Sequence, residues 1–463
     1  MTQLRLALAL TAAATITGCL LGPSYRRPPV ETPASFRDVP PPATAQPLDS
    51  DWWKLFGDPA LTALEEQARA ANQDLQAAIA RVTEARATAR IAEADFYPVI
   101  TLDPERQNAR LSANRPLADP EKGKTTSDTL VPFDLSYEID LWGRVRRSFE
   151  SATASANASE DAYGVVALTL AADVAQQYFA IRSLDAQDAI LRESVVVFRD
   201  QVHFVEARYR AGLVSELDVA QARTQLETTV AQEVDARRLR ALSEHALAVL
   251  CGQAASDFSI PEAPLEPGPP EVPAGVPSQL LERRPDVAEA EQQLVAANAE
   301  VGVAEALFFP QVRLTGAAGL ESADLSDLIK WESRIWSIGP SISVPVFEGG
   351  RLRANLKGAK ARYEETVAAY RSTVLAAFRD VEDALASVRL RAEQGDAQAR
   401  AVTAAGRAVQ VARSQYQHGI ADYLQVLVAQ RTELDLQLSS TQTQEQRLDA
   451  TVLLVKAVGG GWQ

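Results

Sequence analysis

The side chains that could do covalent or metal chemistry are few and far apart. The 463 residues hold three histidines, His203, His245 and His418, and two cysteines, Cys19 and Cys251. None stands at metal-ligand spacing, and no nucleophile elbow or phosphate-binding loop occurs. The "GGGW" of 459–462 has neither a helix nor a lysine after it, so it is not a phosphate cradle. Carboxylates are plentiful, but they fall on helical faces among Lys and Arg, as solvated charges do. Cys251 closes the apolar run "AVLC" and reads as a small buried residue rather than a nucleophile. The expectation is a protein that is not an enzyme, with no metal and no cofactor beyond the group that Cys19 can carry.

Cys19 is different because of what precedes it. "MTQLRLALALTAAATITGC" has one early arginine, an apolar core and a small residue, Gly18, before the cysteine. It is too short to span a bilayer and reads as a cleaved export signal, residues 1–18. The simplest alternative is a plain secretory signal that happens to contain a cysteine. The pattern resembles the lipobox of bacterial lipoproteins, with Ile16 where Leu is usual, and so implies a covalent lipid on Cys19. Leu20 follows, whereas an Asp there commonly retains such lipoproteins at the inner membrane. The resemblance therefore implies the outer membrane of a Gram-negative bacterium. With Cys19 lipidated, only Cys251 remains and no internal disulfide can form.

The elements that such an anchor would hold can be read from spacing. Formal net charge is −15, which argues against a nucleic-acid partner. After the leader no run of 18 apolar residues occurs, so no transmembrane helix is expected. No proline falls between Phe133 and Ile260 or after Pro345, leaving two tracts free to be helix. In the second, Val374, Phe378, Val381, Leu385 and Val388 step by 4, 3, 4, 3, a coiled-coil seam. Ala167, Ala171, Val174, Tyr178 and Ile181 repeat that seam in the first. Helices of about 146–211 and 353–418 would each be ~100 Å long. Gly212, in "YRAGLVSELDV", and Gly419, in "YQHGIADYLQV", suit the left-handed residue that ends a helix. Return helices of about 215–250 and 422–458 would complete two hairpins with those glycines at their tips.

Upstream of each long helix the period changes to two. Phe133, Leu135, Tyr137, Ile139 and Leu141 alternate with polar residues, as do Trp336, Ile338, Ile342, Val344 and Val346. Weaker strands precede them at about 98–111 and 310–320. A sheet with one wet face and a barrel with lipid outside and water inside both fit this alternation.

The chain also says the same thing twice. "IAEADFYP" at 91–98 returns as "VAEALFFP" at 303–310, and "DLWGRVR" at 140–146 as "FEGGRLR" at 347–353. The order in both halves is helix, strand hairpin, long helix, glycine turn, return helix. This divides the chain into a linker (19–60), a first repeat (61–252, hairpin 98–143), a Pro-rich linker (253–278), a second repeat (279–458, hairpin 310–347) and a tail (459–463). The aromatic pairs Phe96-Tyr97 and Phe308-Phe309 fit either a membrane–water boundary or ordinary packing. Four strands cannot close a barrel, and an open edge in lipid costs several kcal/mol per unpaired group. Several identical chains in a ring solve this, and three would supply 12 strands.

Taken together, the cysteine, the duplication, "LLERRPDV" (280–287), "FFP", "GGRLRA" (349–354), "YLQVLVAQR" (423–431) and "AVGGGW" (457–462) are similar to the TolC-like outer-membrane factors, in the OprM/NodT-type lipoprotein branch. That resemblance spans nearly the whole mature chain. It implies a mainly α protein with a β-barrel part, forming as a homotrimer a 12-stranded outer-membrane barrel continuous with a long periplasmic helical barrel. It implies passive conduction of small toxic compounds such as drugs, dyes or metal ions, with a periplasmic adaptor and an inner-membrane RND-type pump as partners. A closable iris would lie at the hairpin tips, with Tyr209, Asp218, Tyr416 and Leu424 at matching positions. Gln425 and Val428 stand where relatives carry pore-facing aspartates, leaving Asp422 and Glu216 as substitute charges. Asp218 serves equally as an ordinary helix-start residue. Two other functions remain open on the sequence: the duct of a polypeptide exporter, and a lipid-anchored periplasmic scaffold with no pore.

Overall fold

The computed structural model describes residues 20–37, 49–110, 112–114, 123–265, 268–270, 272 and 283–461. Cys19 lies outside them. The chain divides into two compact units: the described part of Met1–Pro29 with Arg81–Ser159 and Ala290–Tyr370, and Val30–Ala80 with Glu160–Glu289 and the described part of Arg371–Gln463.

Seven helices and five strands are described. In the first repeat they are α1 (Pro59–Ala71), α2 (Gln73–Ala94), β1 (Val99–Leu102), β2 (Glu105–Arg110), β3 (Thr125–Ile139), α3 (Arg144–Arg210) and α4 (Glu216–Leu250). In the second they are α5 (Pro285–Ala306), β4 (Gln311–Ser322), β5 (Arg334–Ser343), α6 (Arg351–Gln417) and α7 (Tyr423–Ala457). Both long helices are 67 residues and both return helices 35, so the duplication seen in the wording is kept in the lengths.

The first unit contains one antiparallel sheet. β1 and then β2 pair with β3, β3 pairs with β4, and β4 with β5. The weak strand expected over 98–111 is therefore interrupted at Asp103-Pro104, where proline withholds a ladder donor. β5 ends at Ser343, short of Val344 and Val346. Register puts Leu102, Phe133, Ala318 and Trp336 in one row across the sheet, and Ile100, Leu135, Gly316 and Ile338 in the next row on the same face. Ile139, Val312 and Ile342 continue that face. The opposite face carries Thr101, Asp134 and Ser337, then Glu138, Arg313 and Ser341, with Arg313 Nη2 3.8 Å from Glu138 Oε2. Alternation thus sorts the sheet into an apolar and a polar face.

Where sheet gives way to helix, Arg144 forks onto Glu138, with Nε–Oε1 at 2.7 Å and Nη2–Oε2 at 2.9 Å. The Trp142 indole donates to Pro310 O at 2.8 Å, tying the junctions of the two repeats together. Phe309 packs on Trp142 with centroids 4.9 Å apart, and Phe96 on Phe149 at 5.5 Å. One ring of each aromatic pair is therefore used in packing, while Tyr97 is two-thirds exposed.

The second unit is built around the seam of α3. Ala171, Val174, Tyr178 and Ile181 are buried with Trp52, Trp53, Leu61, Leu64, Leu247, Leu448, Val452 and Val455. By length and composition α3 could cross a membrane, but half of its most apolar window is buried inside the protein, as in a core helix. The seam of α6 buries Val374, Phe378 and Val381. Cys251 lies in the α3 core, its thiol pushed up to about 11 by burial and by the Glu65 carboxyl, which suits packing and not nucleophilic chemistry.

Neither linker is a free tether where it is described. Phe36 is buried, and Trp52–Phe56 forms a short 3₁₀ turn ahead of α1. After α4, Arg182 donates to Pro261 O at 2.7 Å, Arg240 to Ile260 O at 2.9 Å, and Ala263 N to Asp185 Oδ2 at 3.2 Å. In "RRPDV", Pro285 opens α5 and Arg284 forks onto Asp286 while reaching Ala457 O and Asp380.

Candidate functional site

Two regions carry the features that a conduit needs: the sheet and the hairpin tips.

In the sheet, the apolar face is bare. Trp336, Ile338, Ile342, Ile100 and Phe133 are all more than half exposed. Among the described residues β5 pairs only with β4, and β1 and β2 pair only with β3, so both outer edges present unpaired backbone groups. An exposed apolar face with open edges is unstable in water and in lipid alike until those edges find partners. Strands of 12 and 15 residues in β4 and β3 are long enough to cross a bilayer.

At the tips, Gly212 and Gly419 have φ of 74° and 73°. The amides of Gly212 and Leu213 donate to Tyr209 O and Arg208 O, and those of Gly419 and Ile420 to Tyr416 O and Gln415 O. This is the paired-bond helix stop that a left-handed glycine permits. Three residues on, each return helix begins with a side-chain cap, and the two caps differ. In the first repeat Ser215 and Asp218 form a reciprocal capping box: Asp218 N donates to Ser215 Oγ at 3.3 Å, and Ser215 N to Asp218 Oδ2 at 2.9 Å. In the second, Asp422 is itself the cap and accepts from Gln425 N at 3.1 Å. Gln425 is the counterpart of Asp218, so the carboxylate has moved by three residues along the same first turn. The charge at this helix start is retained although its position has changed.

Four helices meet just above these caps. Val202 and Val205 of α3, Val219 and Ala222 of α4, Tyr416 of α6, and Tyr423 and Val426 of α7 form one buried cluster. Tyr416 stacks near Tyr423 at 5.9 Å and edge-on to Phe204 at 6.2 Å. The Arg208 guanidinium sits 4.9 Å from the Tyr416 ring centre and 5.8 Å from that of Phe204. Neither Tyr416 Oη nor Arg208 Nε has a hydrogen-bond partner among the described residues. Burial, then the charges around it, pushes the Tyr423 phenol up to about 12, and burial raises that of Tyr416 with Asp218 adding to it and Arg208 opposing. Both phenols are therefore neutral at physiological pH. Arg223 clasps Glu206 across the first hairpin, with Nη2–Oε1 at 2.6 Å. A cavity of about 350 Å³, lined among others by Asp200, Phe204, Arg413 and Tyr416, opens between α3 and α6.

Of the four iris positions marked in the sequence, the structure brings Tyr416 and Asp218 into one electrostatic neighbourhood. Tyr209 and Leu424 stand apart, each nearly half exposed. Sequence reasoning missed Phe204, Arg208 and Tyr423. Only Tyr423 had a local signal, as an aromatic ring at the first position of a return helix. Among the described residues no group of three or more His, Cys, Asp and Glu could hold a metal ion.

A bare apolar sheet with open edges, continued by paired long helices that stop at capped glycine turns, defines a protomer of an outer-membrane channel. The chain belongs to the outer membrane efflux protein family, which matches residues 64–253 and 276–460 and so takes in both repeats. It is 35% identical over 455 residues to the solvent efflux pump outer membrane protein SrpC of Pseudomonas putida, covering 96% of each chain. To the cation efflux system protein CusC of Escherichia coli it is 33% identical over 460 residues, covering 97% of each. Its fold matches the outer-membrane channel OprN with a TM-score of 0.90 at 31% identity, covering 96% of this chain and all of the other. The family consists of trimeric channels with a membrane barrel and a helical periplasmic part, and they are not enzymes.

Proposed function

We propose that three copies close their sheets edge to edge into a 12-stranded pore and conduct small toxic compounds outward, driven by an inner-membrane RND-type pump through a periplasmic adaptor. The observation that carries this reading is the sheet, with its polar inner face, its exposed apolar outer face and its two open edges. Relatives of nearly equal similarity are described as exporting solvents and cations, so the fold itself does not set the cargo. Cargo choice belongs to the pump, and the duct filters by size and gross charge.

In the same reading Cys19 carries the lipid that helps hold the protein at the outer membrane. The cluster of Tyr416, Tyr423, Phe204 and Arg208, with Asp218 beside it, is the iris, and Gly212 and Gly419 mark the surface that meets the adaptor. The test is conductance of the purified protein in planar bilayers, before and after loosening the tip with Tyr416→Ala. Low conductance that rises several-fold in the variant supports a closable duct. If correctly folded trimers of both proteins carry no current, the conduit reading fails.

A further inference from the structure

The first described residues after Cys19 are held by an arrangement that a tether has no use for. Arg147 is 3% exposed and donates its Nε to Leu21 O at 3.0 Å and its Nη2 to Gly22 O at 3.3 Å and to Pro23 O at 3.2 Å. Its Nη1 is fixed on Glu150 at 2.7 Å. Asn298 of α5 adds a second donor to Pro23 O at 2.9 Å, and Leu21 N donates to Trp142 O at 3.2 Å. Two turns back along α5, Glu291 accepts both Arg27 nitrogens, at 2.7 and 2.5 Å, and the Tyr25 hydroxyl at 3.0 Å. Packing is as close as the bonding. Gly22 has φ of 89°, and a Cβ on it would lie 2.4 Å from Gly302 Cα, so backbone rests on backbone. Leu20 fills the space before Gly143, where a Cβ would meet Leu20 Cδ1 at 2.6 Å.

Three successive carbonyls taken by one buried guanidinium fix the chain's height as well as its direction. A planar fork can do this where a point charge cannot. The level it fixes is that of Trp142 and Gly143, where β3 ends and α3 begins. One peptide step, ~3.8 Å between Cα atoms, links Leu20 to position 19. The clamp also draws on both repeats, Arg147 from the first and Asn298, Glu291 and Gly302 from the second.

We infer that residues 20–27 form a rigid strap, and that Arg147 is the positioning residue that sets the lipid-bearing Cys19 at the strand–helix junction. The acyl chains then enter the membrane beside the sheet, at one depth, and do not swing on a leash. This inference rests on the reading of Cys19 as the lipid site.

The test uses full-length trimers in liposomes with a spin label on Ser24→Cys, an exposed strap position. The label should be immobile and report one depth from its oxygen and nickel-chelate accessibilities. Arg147→Ala should add a mobile component and scatter the depth, and Arg147→Lys should not restore either. Gly22→Val should do the same from the strap's side, because its added Cβ pushes residues 21–23 off Gly302 of α5 while every residue of the helices stays unchanged, and an unaltered thermal unfolding midpoint guards against a folding defect in either variant. Channel conductance should be unchanged throughout. A label that is already mobile in the parent protein, or unmoved in both Arg147→Ala and Gly22→Val, overturns the strap. The mass of the N-terminal peptide from the same sample tests the lipid separately. An unmodified Cys19 removes the positioning role even where the label is immobile.

Discussion

The guanidinium of Arg208 lies over the ring of Tyr416, 4.9 Å from its centre, joining the end of one long helix to the end of the other. A cation on an aromatic face contributes about 0.5–2 kcal/mol, the more so where water is excluded. Arg208→Ala should therefore loosen the tip and raise bilayer conductance, while Tyr416→Phe, which keeps the ring and removes only an unpartnered hydroxyl, should leave conductance close to that of the parent. Equal effects from the two substitutions would move the closure away from this pair.

The helix caps at the tips are separable from the iris. Ser215→Ala and Asp422→Ala should each cost about 1 kcal/mol. Amide hydrogen exchange should report the loss locally, in the first turns of α4 and α7, with little change in the middle of those helices.

Arg284 holds Asp286, Asp380 and the carbonyl at the end of α7 at once. Its removal leaves Asp286 without its forked partner and Asp380 with Arg379 alone. Arg284→Ala should destabilise by about 1–3 kcal/mol, the cost of the lost charged hydrogen bonds and the freed α7 carbonyl, read as a lower midpoint of thermal unfolding. Arg284→Lys should recover little, because an ammonium cannot fork.

Glu65 is 1% exposed with neither carboxyl oxygen paired among the described residues, and burial, opposed only by Arg69, pushes its carboxyl up to about 9 from an ordinary 4.5. Below pH 4.5 it is protonated in the folded and unfolded chains alike and adds no pH dependence. Between 4.5 and 9 the unfolded chain gives up the proton that the folded chain keeps, so stability falls as pH rises, by at most about 1.4 kcal/mol per unit. Comparing Glu65→Gln with the parent at pH 5 and pH 9 checks this: the variant should lose less of its thermal stability on going to the higher pH.

On the sheet, Trp336→Arg places a charge in the row that Leu102, Phe133 and Ala318 continue. A cation on the lipid face costs about 2–4 kcal/mol near the bilayer middle. Outer-membrane fractions should contain markedly less trimer, whereas Ser337→Arg, one residue along on the opposite face, should be tolerated.

The sequence carried the elements well, because their signals are local. Period two, period 3.5, the absence of proline and two glycines define strands, helices and tips without reference to anything distant. The same locality explains what it hid. Arg208 and Tyr416 meet only because α3 and α6 pack together, and nothing in "EARYR" marks its arginine as the one that stacks. The clamp on residues 20–27 was illegible for a similar reason: its segment has no period, and its partners Arg147, Glu291 and Asn298 look like surface residues of long polar helices. For the charge missing at Gln425 the sequence offers two substitutes, Asp422 and Glu216, and does not choose between them. The cap geometry shows that Asp422 holds the carboxylate one turn-start earlier.

The pairing of β3 with β4 runs over eleven residue pairs, from Thr129↔Ser322 to Ile139↔Val312, and joins the two repeats inside one chain. An ancestor with one repeat per chain would have had six separate joints to make around a ring of 12 strands. Here half of them are made at the effective concentration of a single polypeptide, before any neighbour arrives. In the trimer proposed above, only three joints would remain to depend on encounter, each between β5 of one protomer and the short β1 and β2 of the next. Duplication within one chain thereby turns a six-body assembly problem into a three-body one.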